Sequence, residues 1–375
     1  MIIIGVATGF AFLSQVGETI TVESARAQSD SLFMRKAQAL ESMRKIFFVL
    51  SFLVLWFFSA FTTNGTDRAS YARIFLETGL GTLKEGFLEP GFQIFNLLVR
   101  FWSTDVQVFY IIISTITLGL IYSTLYFLRK EIKIGYAVLA YGCLFYVQGF
   151  SPLRSYLAAA MLFWGIRFLK RQQYMKYAVV ILFTSLTHYS VLILFLPLCI
   201  LYLLYHQKYE MKVNVFLITC MFIITFLLMG MGETIFSAIP MITRFQHYFE
   251  NISFAQIGVA QFVYYLPLCV FLMMIWNILD DNYKRIFTAF LLSAFLIGMM
   301  SYLIHILGRA FSLFQLLYLW MIPYGLKQWK QWTSNKLLNC GVQIGLVLYY
   351  ILRFYIYIRE YKVMEQVLPY TNRFF

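Results

Sequence analysis

The sequence contains little charge, since Asp, Glu, Lys and Arg together make up 13% of its 375 residues. An average soluble domain carries about 25% charged residues. Apolar residues make up 61% of the chain, compared with roughly 45–50% in soluble proteins. This balance excludes a soluble enzyme and a disordered chain. The apolar residues form long continuous runs, which disfavours a β-barrel and predicts an all-α, polytopic membrane protein.

Cysteine is also scarce. The five cysteines all lie inside apolar runs and form no C-x-x-C pair, so a secreted disulfide scaffold is excluded and no zinc motif is present. The sequence also has no glycine-rich phosphate loop, no Asp-x-Asp pair and no His-x-x-x-His pair, which are common signatures of nucleotide and metal sites. We therefore predict no metal and no cofactor.

Acidic residues are the rarer of the two charge types, with 17 Asp and Glu against 30 Lys and Arg. In a membrane protein this excess first indicates cytoplasmic loops that follow the positive-inside rule. It indicates, second, a site for anionic lipid or phosphate, and no nucleic acid is expected as a partner. Most of the basic residues share one side if the chain before Ile46 is cytoplasmic, and this orientation places the C-terminus outside.

Eleven apolar segments approach the length of about 20 residues that a spanning helix needs. They are 46–63, 106–127, 134–150, 153–169, 175–189, 190–205, 213–231, 259–278, 286–304, 309–326 and 337–357. We predict that 46–375 form a single transmembrane domain with two long outer loops, 64–105 and 232–258. Within the first loop, apolar residues at helical spacing in 92–101 predict a helix that lies along the membrane interface.

Residues 1–45 form an N-terminal segment with two open interpretations. The apolar stretch 2–16 is short for a spanning helix. It is either a poorly packed extra helix or part of a stretch that precedes the true translation start, with Met43 as the alternative initiator.

Ionisable residues gather on the predicted outer side of the membrane. Placing an ionisable side chain within or beside a membrane span is energetically costly, so a functional role is the default interpretation. Asp67 follows the first span, Glu89 precedes a proline, Arg154 opens a span, and His188 lies at a hairpin of two short spans. The alternatives without a functional role are that the acids are solvated loop residues, that the arginines snorkel to the membrane interface, and that the histidine is a hydrogen-bonded core residue. Arginine matches phosphate oxygens, and a carboxylate or histidine accepts a proton from a hydroxyl. Together these groups predict a lipid diphosphate as the activated substrate.

The order of the motifs resembles the EpsG family of Wzy-type bacterial polysaccharide polymerases. The resemblance covers about 46–375 and rests on Gly65-Thr66-Asp67 with Tyr71, Glu89-Pro90-Gly91-Phe92, Arg154 with Ala158, Thr187-His188-Tyr189-Ser190, Leu307-Gly308-Arg309 and Leu368-Pro369-Tyr370. The sequence departs from the family at Arg68, where the family often has an aromatic residue.

The resemblance implies a fold related to the integral-membrane glycosyltransferases that use lipid-linked sugars. It implies transfer of a growing glycan from undecaprenyl diphosphate to a sugar hydroxyl of a second lipid-linked repeat unit. The enzyme would lie in the bacterial inner membrane, with its site facing the periplasm or outer leaflet. The implied partners are undecaprenyl-diphosphate-linked oligosaccharides, the lipid bilayer and a chain-length regulator.

The resemblance also implies roles for individual residues. The diphosphate would be held by Arg154 and Arg309, with Arg244 as a weaker third candidate. The base for the acceptor hydroxyl would be His188, Asp67 or Glu89, and the resemblance leaves these three open. The further substrate contacts would be Tyr189 and Tyr370.

Three other functions fit parts of the pattern. An O-antigen ligase-like glycosyltransferase uses the same lipid donor with a different acceptor. A flippase or transporter of lipid-linked glycan is the alternative that is not an enzyme, although the chain shows no internal repeat. A membrane O-acyltransferase also uses an intramembrane histidine, but the chain shows no matching pattern.

Overall fold

The computed structural model describes residues 1–16, 31–79, 89–205, 260–303, 313–314, 316–332, 335–361 and 369–374. These ranges are helical and contain no β-strand. In chain order the helices are α1 (Ile2–Leu13), α2 (Ser31–Phe61), α3 (Arg68–Glu77), α4 (Pro90–Trp102), α5 (Val106–Leu128), α6 (Ile134–Tyr141), α7 (Leu153–Lys170), α8 (Tyr174–Ser185), α9 (Phe195–Tyr205), α10 (Ala260–Ile275), α11 (Asp281–Leu303), α12 (Leu317–Trp332) and α13 (Lys336–Tyr361). The all-α prediction is confirmed for this part of the chain.

Three of the described helices are long and apolar enough to cross a membrane. They are Arg35–Phe61 within α2, Val106–Leu128 and Lys336–Arg359 within α13. The other apolar helices of the described ranges are shorter. The membrane character is therefore confirmed, whereas the count of eleven spans is not. The predicted span 213–231 lies outside the described residues.

Breaks in the helical hydrogen-bond pattern account for several of the differences. The predicted span 134–150 is divided into α6, a π-helical turn at Gly142–Tyr146 and a 3-10 turn at Gln148–Phe150. The predicted span 190–205 begins with a 3-10 turn at Tyr189–Leu194 before α9. Hydropathy records where a chain is apolar but carries no information on these local hydrogen-bond changes.

The N-terminal helix α1 packs against α2 and α6. Its Ile4, Ala7 and Ala11 are buried, and the Ser51 hydroxyl of α2 donates a hydrogen bond to the Ala7 carbonyl at 2.7 Å. The ring of Phe12 also contacts that of Tyr136, with 5.1 Å between centroids. The interpretation of this segment as a poorly packed helix therefore differs from the structure, in which it is closely packed.

Helix α4 contains the whole of 92–101, so the predicted helix is present. Phe92 and Val99 are buried in an apolar cluster with residues of α3 and α5. Leu98, Phe101 and Trp102 are exposed. Both faces of the helix thus carry large apolar groups. Its placement along a membrane interface stays our prediction.

The described helices form two compact units. The first contains Met1–Trp164 and Tyr318–Phe375, and the second contains Gly165–Leu317. In the second unit Tyr177 is buried against Gly165, where an added Cβ would lie 2.9 Å from the tyrosine ring. The Asn282 amide of α11 donates to the Lys170 carbonyl at 3.2 Å, which ties α11 to the end of α7.

Two contacts mark the opposite ends of α5 in the first unit. At one end the Lys327 ammonium donates to the carbonyl of Arg129, the residue that follows α5, over 3.4 Å. At the opposite end of α5 the Gln107 amide donates to the Ala60 carbonyl of α2 at 2.8 Å. Arg129 and Lys327 thus lie together at one end of α5, and the assignment of the two ends to membrane sides stays a prediction.

Candidate functional site

The loop between α2 and α3 lies directly on the backbone that precedes α7. Gly65 has a φ of +118°, a conformation that residues other than glycine rarely adopt. A Cβ at this position would lie 2.4 Å from the Phe150 carbonyl oxygen. Both the backbone conformation and the close approach therefore require glycine here.

Ser151 fixes this loop in place. Its hydroxyl lies 2.6 Å from the Thr66 hydroxyl and accepts a hydrogen bond from the Asp67 backbone N–H at 3.2 Å. Ser151 is itself buried. These contacts place Asp67, the residue that precedes α3, beside the start of α7.

Arg154 of α7 forms an ion pair with Glu89, which lies 65 residues earlier in the chain. Glu89 immediately precedes α4, whose first residue is Pro90. Proline suits a first helical position because its missing N–H would be unpaired there in any case. The two side chains are only 20% and 11% exposed, so the pair is largely shielded from solvent. Glu89 is therefore held in place as the partner of an arginine.

Aromatic rings enclose the ion pair. The guanidinium carbon of Arg154 lies 5.6 Å from the centroid of the Phe92 ring and 6.0 Å from that of Tyr71. The charge of Asp67 also acts on Arg154. Three of the predicted site residues, Asp67, Glu89 and Arg154, are thus brought together, although they lie in three separate parts of the sequence.

Tyr71 belongs to this cluster by position and by charge. It lies on α3, and burial raises the pKa of its hydroxyl, while the positive charge of Arg154 opposes this rise. The phenol therefore stays protonated near neutral pH and acts there as a hydrogen-bonding group. The sequence pattern indicated Tyr71 only as part of a motif.

Arg68, the residue after Asp67, is one of the most buried charged residues in the described chain. It is 7% exposed, and its guanidinium carbon lies 3.6 Å from the centroid of the Tyr110 ring. The Tyr110 hydroxyl donates to the Arg68 carbonyl at 2.6 Å. Burial lowers the pKa of Arg68 to about 10, against the opposing effect of Tyr110 and Tyr370, so Arg68 is still charged at neutral pH. The sequence carried no signal of this burial.

The C-terminal tail is attached to the same end of the first unit. The Asn64 amide donates to the Pro369 carbonyl at 2.8 Å and its oxygen accepts from the Thr371 N–H at 2.7 Å. The hydroxyl of Tyr370 donates to the Phe58 carbonyl at 2.8 Å. Burial raises the pKa of Tyr370, and among the opposing effects is the charge of Arg68. Tyr370, one of the two tyrosines predicted as substrate contacts, therefore lies near Arg68.

His188 and Tyr189 belong to the second unit. His188 precedes the 3-10 turn Tyr189–Leu194, and its backbone N–H donates to the Thr184 carbonyl at 3.1 Å. The histidine is half-buried and Tyr189 is exposed. A role for either residue beside Arg154 stays a prediction. Arg244, Arg309 and the predicted outer loop 232–258 lie outside the described residues.

A small cavity lies in the first unit beside the start of α7. Its volume is about 20 Å³, which is enough for roughly one water molecule. Hydroxyl-bearing side chains line much of it, namely Ser59, Ser114, Thr117, Tyr141, Tyr146 and Tyr156. Leu153 and Tyr156 line it from α7. The cavity is therefore largely polar, and neither Arg154 nor Glu89 is among its lining residues.

The donor groups of this site suit the binding of anionic oxygen and the movement of a proton. Arginine offers forked, permanently charged donors to phosphate, and the carboxylate of Asp67 accepts protons. Within the described ranges no group of three or more His, Cys, Asp or Glu residues is placed to hold a metal ion. The arrangement thus fits a reaction in which arginines stabilise a leaving group.

Comparison with known proteins gives one result that covers most of the chain. The model of the EpsG family matches residues 45–372. This range includes Asp67, Glu89 and Arg154. Neither the curated proteins nor the solved structures give a match.

Proposed function

Since this chain belongs to the EpsG family of polysaccharide polymerase-like membrane proteins, we propose that it is a membrane glycosyltransferase that lengthens a lipid-linked glycan. The donor is a growing glycan on undecaprenyl diphosphate, and the acceptor is a sugar hydroxyl of a second lipid-linked repeat unit. The bond between the anomeric carbon and the diphosphate oxygen breaks, and a new glycosidic bond forms. The acceptor loses a proton and undecaprenyl diphosphate leaves.

The observation that carries the proposal is the meeting of Asp67, Glu89 and Arg154 at one end of the first unit. Arg154 has five N–H donors, and its contact with Glu89 uses only some of them. The remaining donors suit a phosphate oxygen, and a fixed positive charge lowers the energy of the charge that develops on the leaving diphosphate. Glu89 then has a positioning role, because it holds the guanidinium in place.

Asp67 is the carboxylate of this cluster for which we find no ion pair in the described chain, and it is only partly buried. In the proposal it accepts the proton of the acceptor hydroxyl, a role for which a positioned carboxylate is suited. His188 is the second candidate for this base. Arg309 and Arg244 remain candidates for further diphosphate contacts. The proposal needs no metal.

The proposed location is the bacterial inner membrane, with the Asp67, Glu89 and Arg154 end facing the periplasm or outer leaflet. This assignment is supported by the basic residues at the other end of the first unit, around Arg129 and Lys327, because positive charge favours the cytoplasmic side. A chain-length regulator would approach from the outer side.

The experiment is deletion of the gene, complementation with the native chain or with Arg154→Ala, and separation of the surface glycan by length. We expect the deletion and Arg154→Ala to lose long chains while a single repeat unit remains on the carrier or on the final acceptor. Long chains that accumulate on the carrier without transfer would instead indicate a ligase. Repeat units that stay on the cytoplasmic side would indicate a flippase.

A further inference from the structure

Arg68 is a buried cation without a carboxylate partner in the described part of the chain. It is 7% exposed. Within the described ranges no Asp or Glu oxygen lies within ion-pairing distance of its guanidinium, whereas Arg154 is paired with Glu89. Burying a charge is costly unless it is paired and hydrogen-bonded. An uncompensated cation at this depth therefore needs an explanation.

Packing on Tyr110 does not provide that explanation. The guanidinium carbon lies 3.6 Å from the centroid of the Tyr110 ring, and such a cation–π contact contributes roughly 0.5–2 kcal/mol. An uncharged side chain of similar length would cover the same ring without the cost of desolvating a charge. The position thus keeps a charge that packing alone does not require.

Arg68 lies beside the cluster of Asp67, Glu89 and Arg154. It precedes Tyr71 by three residues on α3, and residues at this spacing share one face of a helix. Tyr71 in turn contacts the Arg154 guanidinium. Tyr110, on which Arg68 packs, is close enough to Tyr71 for their charges to interact. Arg154 already has an acidic partner, while Arg68 has none in the described chain.

We propose that Arg68 binds an anionic oxygen group of the lipid-linked glycan. This inference rests on the proposed function and deepens it. The anionic group has two sources, namely the diphosphate of the carrier lipid and a carboxylate on a sugar of the repeat unit. The negative charge of either source compensates the buried guanidinium when the substrate is bound.

The test compares Arg68→Met with a matched control, Arg73→Met, in the purified full-length protein in phosphatidylcholine nanodiscs. Methionine keeps the length and apolar packing of the arginine stem and removes the charge. Arg73 is an exposed arginine of the same helix. Two probes are used separately: undecaprenyl diphosphate, with uncharged undecaprenol as its control, and a glucuronate-containing tetrasaccharide, with a neutral tetrasaccharide as its control.

We expect Arg68→Met to weaken binding of one of the charged probes by about tenfold or more, as expected for one lost charge-assisted contact. Arg73→Met should bind within about twofold of the native protein, since an exposed charge contributes little. Loss of diphosphate binding assigns Arg68 to the carrier, and loss of tetrasaccharide binding assigns it to an acidic sugar. Unchanged affinity of Arg68→Met for both probes would overturn the proposal.

The unfolding midpoint of the unliganded protein provides a second readout. We expect Arg68→Met to unfold at or above the native temperature, because the unpaired charge is a cost in the absence of substrate. A clear drop would show that Arg68 is structural and would also overturn the proposal. Neither readout requires polymerisation. A protein that binds diphosphate through Arg68 but forms no polymer would therefore refute the proposed function and leave the anion contact in place.

Discussion

The guanidinium of Arg154 donates a hydrogen bond to the carboxylate of Glu89, and this ion pair joins the start of α7 to the start of α4. Both residues lie at helix starts, so the helices fix the positions of their backbones. The pair also places Glu89 and Arg154 beside Asp67, whose charge acts on Arg154. The proposed site depends on this relationship more than on any single residue.

The pair itself is tested by a double-mutant cycle of Glu89→Gln, Arg154→Gln and the variant that carries both changes. Each single change leaves one largely buried charge unpaired, which we expect to cost about 3 kcal/mol of unfolding free energy. The double variant should recover much of that loss because no unpaired charge remains. All three variants should lose long glycan chains, because two of them lack Arg154 and Glu89→Gln leaves Arg154 without the partner that positions it. Recovery of polymer in the double variant would show that the pair is only structural.

Replacing Gly65 by alanine is expected to destabilise the loop that holds Asp67. The φ of +118° and the 2.4 Å approach of a Cβ to the Phe150 carbonyl predict a loss of about 1–3 kcal/mol together with reduced polymer length. Gly119→Ala is the control, because a Cβ at Gly119 meets no atom within 4 Å and alanine favours a helix. Equal unfolding midpoints for the two variants would contradict the packing described here.

Ser151→Ala removes the hydroxyl that contacts Thr66 and accepts from the Asp67 N–H. We expect a loss of about 1–2 kcal/mol and shorter glycan chains, because Asp67 is no longer fixed beside Arg154. Ser123→Ala is the matched control, since the Ser123 hydroxyl bonds only within its own helix, to Leu120. Native chain length in Ser151→Ala would show that the position of Asp67 does not depend on this contact.

Prediction from sequence succeeded for the helical membrane character and for the grouping of Asp67, Glu89 and Arg154 at one end of the first unit, whereas the membrane side of that end stays a prediction. Asp67, Glu89 and Arg154 were expected on one side because each borders an apolar segment, and the positive-inside pattern orders those segments. Their mutual contact could not be predicted, because the Glu89–Arg154 pair depends on how α4 and α7 pack. The burial of Arg68 against Tyr110 had no sequence signal for the same reason.

The helix boundaries show a second limit of prediction from sequence. The apolar run beginning at residue 46 predicted the start of a helix there, whereas α2 begins at Ser31. Lys and Arg end an apolar run without ending a helix, since both are good helix formers. The tail contacts of Asn64 with Pro369 and Thr371 join the two ends of the matched region, and no local pattern records such a pairing.

His188 is predicted to act as a base or to contact the acceptor sugar. His188→Ala and His188→Gln should both lose polymer while the protein is still inserted in the membrane, because glutamine cannot accept the proton. His206→Ala serves as the comparison, since that histidine directly follows the predicted span 190–205 and belongs to none of the motifs that carry the resemblance. Native polymer length in His188→Gln would remove the histidine from the reaction and leave Asp67 as the base.

Activity is predicted to need no divalent metal. The sequence has no metal-ligand spacing, and arginine supplies the positive charge that a metal would otherwise provide. Purified protein with lipid-linked repeat units should form polymer equally well in excess chelator. If chelation abolished polymer formation and added magnesium restored it, Asp67 and Glu89 would have to be reassigned as metal ligands.

The central claim is tested most directly by incubating the purified native protein with a single defined lipid-linked repeat unit and measuring both products by mass spectrometry. The account predicts glycans of two or more repeat units on the carrier, with one undecaprenyl diphosphate released for each new linkage, and neither product with Arg154→Ala. A native protein that leaves the repeat unit intact and releases no undecaprenyl diphosphate would contradict the account.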